Sequence, residues 1–122
     1  MKTIIFIEDE AALQRSLGET LRKEGYAVIN ALDGEIGLKL AKEKKADLIL
    51  LDLILPKLDG FEVLKELKIN PETSNIPVII LTNLERTEDV DKALALGAKT
   101  YLVKANYNLA EVIEKVNQAL AN

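Results

Sequence analysis

The chain has 122 residues, 48% of them hydrophobic and 30% charged, with a formal net charge of −4. That is the size of one domain with a substantial core, and the acidic balance, with no basic arm, argues against direct contact with nucleic acid. Cysteine and histidine are both absent, which excludes disulfides, thiolate or imidazole metal sites, serine-type triads and any histidine-borne phosphate on this chain.

In chain order, short apolar, β-branched segments alternate with segments of helical periodicity. The first strand is predicted over Thr3–Ile7. A helix follows in which Leu13, Leu17 and Leu21 recur every four residues, stopped by Gly25. A second strand covers Ala27-Val28-Ile29 and ends near Ala31; Asp33 then caps a helix whose apolar face carries Ile36 and Leu40. The third strand is Leu48–Leu51. After it, Asp59 and Glu62 have capping-box spacing ahead of Val63, Leu64 and Leu67. Turn formers fill the loop from Asn70 to Pro77 before the fourth strand, Val78–Leu81. Thr87 is placed to cap a helix with Val90, Ala93 and Leu94 that ends at Gly97. The fifth strand is Tyr101-Leu102-Val103, and Asn108 with Glu111 repeats the box spacing before Val112, Ile113, Val116 and Leu120.

Three of the strands are continuous apolar runs, the pattern of strands covered on both faces. Strand and helix alternate five times, which predicts right-handed crossovers and a doubly wound α/β domain occupying residues 1–122. No apolar run reaches the length of a membrane span, and the first strand begins too near Met1 for a signal peptide, so a cytoplasmic location is expected.

Ligands of such folds bind at the carboxyl ends of the strands. Glu8 and Asp9 follow the first strand, Asp52 the third, Thr82 and Asn83 the fourth, and Lys104 the fifth. If the first and third strands are neighbours, three carboxylates converge and repel one another. A hard divalent cation offsets that repulsion, and Mg²⁺ favours a few carboxylates together with water and a phosphate oxygen. Asp52, ending the central strand, is then placed to attack phosphorus as a nucleophile, with Glu8 and Asp9 on the metal and Lys104 and Thr82 towards the phosphoryl oxygens. Each residue also has a plainer reading. Glu10 is a first-turn acid facing a helix dipole, Asp59 a helix cap, and Pro56 a loop-shaping residue; Thr82 and Lys104 fit a turn and a solvated surface, and Tyr101 fits half-buried packing.

Taken together in order, Ile7-Glu8-Asp9-Glu10, Leu50-Leu51-Asp52-Leu53-Ile54-Leu55-Pro56, Leu58-Asp59-Gly60-Phe61, Leu81-Thr82, Gly97-Ala98 and Tyr101-Leu102-Val103-Lys104 resemble the receiver domains of two-component response regulators over nearly the whole chain. The resemblance implies a flavodoxin-like (βα)₅ fold with strand order 2-1-3-4-5. It implies that Asp52 is the phosphoacceptor and that Glu8, Asp9, Asp52 and the Ile54 carbonyl hold Mg²⁺. Thr82 and Lys104 would contact the phosphoryl group, and Thr82 and Tyr101 would form the switch. The donor would be a phosphohistidine on a separate histidine kinase or phosphotransfer protein, and the output an effector that docks between Glu85 and Leu120. Such a chain modifies itself without turning over a free substrate.

Three positions depart from the family pattern. Ala105 stands where proline, joined by a cis bond, usually follows the lysine; a cis bond before alanine costs about 3 kcal/mol, so a trans peptide and a different loop path are expected. Asn83 replaces a small residue beside the phosphoryl site. Ile54 and Leu84 are apolar where the family tunes hydrolysis, which predicts slow decay of the phosphorylated form. Rival readings are a flavin carrier, which Glu8-Asp9-Glu10 would repel; a haloacid-dehalogenase-like phosphatase, which needs an aspartate at the position of Ile54; and a pseudo-receiver that only binds partners.

Overall fold

The computed structural model describes residues 1–121. Five parallel strands, β1 (Thr3–Ile7), β2 (Ala27–Ala31), β3 (Leu48–Leu51), β4 (Val78–Thr82) and β5 (Thr100–Val103), form one sheet in the order β2-β1-β3-β4-β5. The helices between and after them are α1 (Ala11–Lys23), α2 (Gly34–Glu43), α3 (Gly60–Ile69), α4 (Thr87–Ala95) and α5 (Leu109–Leu120), with a 3₁₀ turn over Lys104–Asn106.

The continuous apolar strands have the two-sided burial their sequences imply. Ile5, Ile7, Ile49, Leu51 and Ile80 point into one core with Val63, Leu64, Leu67 and Ala93. Their alternate neighbours Ile4, Phe6, Leu48, Leu50 and Ile79 pack on the other face with Leu17, Leu21, Val112 and Val116. Each fully buried aliphatic side chain contributes roughly 1.5–3 kcal/mol, so β1, β3 and β4, buried along their apolar lengths, are the stable centre that positions the loops.

Most helix boundaries follow their local signals. Asp33 caps α2 by accepting from the Ile36 N–H at 2.8 Å. Asn108 and Glu111 close a full capping box on α5. Asp59 caps α3 through the Glu62 N–H at 3.1 Å. Gly25 and Gly97 lie beyond α1 and α4 with φ of 99° and 109°. Three expectations fail. Thr87 is the first residue of α4 rather than its cap; Arg86 occupies that place without a side-chain cap bond. Ile36 and Leu94 are 47% and 45% exposed. On α2 the buried positions are Gly34, Gly37 and Ala41, with Leu38 and Leu40 half-buried against the core, and on α4 the buried position is Ala93. A Cβ on Gly37 would come within 2.6 Å of the Ile7 side chain.

The loop after α3 is held by polar groups the sequence pattern does not advertise. Thr73 is buried and donates its hydroxyl to Leu67 O at 2.7 Å, while Lys68 Nζ donates to Ser74 O and Ile76 O at 3.0 and 2.8 Å. Burial lowers the pKa of that ammonium.

Candidate functional site

The register fixes the site. Ile7 pairs with Leu51, and the Asp52 N–H donates to Ile7 O at 3.0 Å, so the residues following β1 and β3 emerge side by side. Carboxylate oxygens of Glu8, Asp9 and Asp52 all lie within 4.8 Å of one another. Glu8 and Asp52 are 0% and 4% exposed, whereas Asp9 is open to solvent.

Lys104 is the counter-charge. Its Nζ lies 2.8 Å from Glu8 Oε1, 3.0 Å from Asp52 Oδ2 and 3.4 Å from Glu10 Oε1. Burial alone would lower the pKa of this ammonium, but hydrogen bonds and charge attraction from Glu8 and Asp52 outweigh burial and leave it raised. Glu8 shows the converse. Desolvation pushes its carboxyl up from 4.5 to about 7 against the opposing pull of Lys104, and the Asp52 charge pushes it further the same way. Glu8 Oε1 is buried and faces the Lys104 ammonium at 2.8 Å.

The Lys104–Ala105 peptide is not cis, and no cis bond occurs among the described residues. The chain enters a 3₁₀ turn at Lys104 instead, and the lysine still reaches the carboxylates. Glu10, read from sequence as a helix-dipole acid, shares the Lys104 ammonium and gives α1 no side-chain cap.

The loop after Asp52 is closely constrained. Asp52 Oδ1 accepts from the Ile54 N–H at 3.1 Å, and the Ile54 side chain is 51% exposed beside it. Lys57 adopts φ 72° and the Leu58 N–H donates to Pro56 O at 2.8 Å, a strained γ-turn. Gly60 donates to Leu53 O at 2.9 Å; a Cβ there would fall 2.3 Å from Asp52 O and 2.4 Å from Leu53 Cα. Gly34 allows a similar approach, since its Cβ would lie 1.8 Å from Leu58 O. These glycines let α2 and α3 press the Asp52 loop into place.

On the far side, Thr82 is fully buried, and its Oγ1 accepts from the Leu84 N–H at 3.4 Å. Tyr101 is half-buried, and its hydroxyl donates to Leu84 O at 2.8 Å. Burial, with the Asp89 and Asp52 charges, pushes the phenol up to about 12, which keeps that proton in place.

One residue escaped sequence reasoning. Gln14 is 4% exposed, and its Nε2 lies 2.9, 3.1 and 3.0 Å from the carbonyls of Phe6, Glu8 and Ala31. A polar residue in helical register with Leu17 and Leu21 was its one visible signal.

A five-stranded 2-1-3-4-5 sheet with buried carboxylates and a lysine at its carboxyl edge defines a receiver-type α/β protein. The sequence matches the response regulator receiver domain over residues 4–117, and the chain belongs to that family. It is 38% identical over 125 residues to the probable transcriptional regulator ycf27 of Porphyridium aerugineum, covering 98% of this chain and 51% of that protein. It is 33% identical to protein PilH of Pseudomonas aeruginosa over 121 residues, 99% of both chains. The receiver domain of the sensor histidine kinase PA1611 from Pseudomonas aeruginosa, solved with a magnesium ion coordinated in its active-site cleft, superposes with a TM-score of 0.89 at 28% identity, covering 99% of this chain and 98% of that one. The chain spans about half the length of the first curated relatives it matches. It is a receiver domain of the kind found in two-component response regulators, a signalling module. Among the described residues, no helix is long and apolar enough to cross a membrane.

Proposed function

We propose that this receiver accepts a phosphoryl group on Asp52 in a Mg²⁺-dependent reaction. The observation that carries the reading is the ammonium of Lys104 bridging Glu8 and Asp52 while Asp9 offers a third carboxylate oxygen within 4.8 Å. The residues suit a hard cation: three carboxylates converge where a single ammonium touches two of them. Glu8, Asp9, Asp52 and the Ile54 carbonyl would hold Mg²⁺, which when bound supplies neutralising charge to the phosphoryl group.

Asp52 attacks phosphorus, the P–N bond of a phosphohistidine breaks, and an aspartyl phosphate forms. The donor histidine lies outside these 122 residues, which contain none; a histidine kinase or histidine phosphotransfer protein fits. Lys104, already on Asp52 Oδ2, pairs with a phosphoryl oxygen, and the Thr82 hydroxyl donates to another. Moving Thr82 disturbs the Leu84 backbone that Tyr101 holds, which couples the site to β5 and the face from Glu85 to Leu120, where an effector docks. The receiver itself contacts no nucleic acid and works in the cytoplasm. A longer parent protein with an output domain accords with the greater length of its first relatives. Ile54 and Leu84, both apolar, orient no attacking water, so the phosphorylated form decays slowly.

Intact-mass measurement after incubation with acetyl phosphate tests this. The wild type gains one phosphoryl mass with Mg²⁺ and none without it, and Asp52→Asn gains none. An unmodified wild type would leave a partner-binding pseudo-receiver as the better reading. A half-life of seconds for the modified protein in Mg²⁺ buffer would refute slow decay.

A further inference from the structure

Glu8 is fixed along its whole length. Its N–H donates to Ala31 O at 2.9 Å, its side-chain Oε2 accepts from the Glu10 N–H at 3.0 Å, and its carbonyl accepts from Gln14 Nε2 at 3.1 Å. The same amide nitrogen reaches Phe6 O and Ala31 O, so one side chain on α1 clamps the ends of β1 and β2 beside the carboxylates. The Glu8 carbonyl belongs to the peptide that leads into Asp9. Holding it fixes the rotation of that peptide plane, and with it the direction in which both acidic residues leave the strand.

Packing alone does not account for a glutamine here. Its Nε2 has two hydrogens for three carbonyls, and its Oε1 is buried without a partner. Methionine would fill the same space on the apolar face of α1 with no orphaned oxygen. What methionine lacks is the donor pair aimed at the strand ends. We infer that Gln14 is a positioning residue of the cation site: by clamping the Phe6, Glu8 and Ala31 carbonyls it sets the Glu8–Asp9 peptide in the orientation that lets both carboxylates converge on Asp52. The inference rests on the Mg²⁺ reading above. Groups that act through hydrogen bonds on metal ligands commonly change affinity by about 10–100-fold.

Titration calorimetry with MgCl₂ on the intact chain separates the two ideas. Wild type binds Mg²⁺. Gln14→Met binds it about 10-fold more weakly, and Gln14→Glu, whose carboxyl has at most one hydrogen to give where the amide has two, also binds more weakly. Leu21→Ala, about 10 Å further along α1, opens a core cavity and serves as the control: it loses stability yet keeps its Mg²⁺ affinity within about twofold. Wild type that binds no Mg²⁺ ends both readings. Wild type and Gln14→Met binding equally would overturn this inference alone, and so would an equal loss of affinity in Leu21→Ala. If Gln14→Met does not fold, NMR of the wild type decides. The Gln14 side-chain amide protons should exchange slowly and shift on Mg²⁺ addition; fast exchange with no shift refutes the role.

Discussion

The two halves of the strand-end site are built differently. On the β1–β3 side, every backbone group of Glu8 is engaged, Gln14 clamps two strand ends, and glycines at 34 and 60 press the Asp52 loop against the helices. On the β4–β5 side, Thr82 and Tyr101 meet through the backbone of one loop residue, Leu84, and α4 buries only Ala93. The proposed phosphoryl transfer needs carboxylates in fixed geometry; the proposed switch needs an element weakly enough held to shift. Lys104 joins the halves by charge, since it extends from the end of β5 to Glu8 and Asp52.

That division makes Lys104 the most sensitive position. Lys104→Met leaves Glu8 and Asp52 facing each other in a buried site without their cation. Breaking a buried ion pair from one side costs about 3–5 kcal/mol, so urea unfolding of the metal-free variant should show a loss near that range. Millimolar Mg²⁺ should recover part of it, because a divalent ion replaces the missing charge. A variant as stable as wild type without Mg²⁺ would show that the two halves are not joined through this ammonium.

Gly60→Ala tests the rigid half by backbone alone. Its Cβ would enter space held by Asp52 O and Leu53 Cα at 2.3 and 2.4 Å, and neither atom can swing aside as a side chain would. Overpacking of this kind costs about 3 kcal/mol, and the displaced Asp52 should slow phosphorylation by acetyl phosphate in parallel. Normal phosphorylation in a destabilised Gly60→Ala would mean that Asp52 is positioned independently of α3.

The contrast also explains what the sequence could reveal. Continuous runs such as Leu48–Leu51 announce a doubly covered parallel sheet, and strand ends in such a sheet bring Glu8, Asp9, Asp52, Thr82 and Lys104 to one edge. What escaped were contacts set by distances between elements. Ile36 and Leu94 are exposed although periodicity puts them on apolar faces, and the contact between Gly37 and Ile7 shows how closely α2 approaches the sheet, which periodicity does not encode. Gln14 resembled an ordinary polar residue until β1 and β2 placed three carbonyls around its amide. Gly60 stands in the sequence only as part of the Leu58-Asp59-Gly60-Phe61 motif, and the path of the Asp52 loop shows why a Cβ is excluded.

The rigid half also has a pH signature. With burial raising Glu8 from 4.5 to about 7, the folded metal-free protein holds a proton between those values that the unfolded chain releases. Its contribution is fully present below about pH 4.5 and is lost as pH rises through 7, so stability should fall over that interval. At 1.36 kcal/mol per pKa unit the fall is of order 3 kcal/mol. Mg²⁺ favours the ionised carboxylate and should flatten the profile. Denaturant midpoints measured from pH 4.5 to 8 with and without Mg²⁺ check both statements; a metal-free profile that rises with pH would show that Lys104 outweighs the burial of Glu8.

The smallest effect belongs to the looser half. Tyr101→Phe removes one hydrogen bond, to Leu84 O, and keeps the ring's packing against the core. A single neutral bond of this kind contributes about 1 kcal/mol, and water can reach the half-buried carbonyl, so the loss should be no larger. The informative measurement is elsewhere. Because the bond ties β5 to the loop after Thr82, its removal should speed amide exchange in Leu84 and the first turn of α4, while Mg²⁺ affinity stays at the wild-type value. If Tyr101→Phe weakened Mg²⁺ binding as strongly as Gln14→Met, the carboxylates and the switch would be one mechanical unit, and the separation between a fixed half and a yielding half would fail.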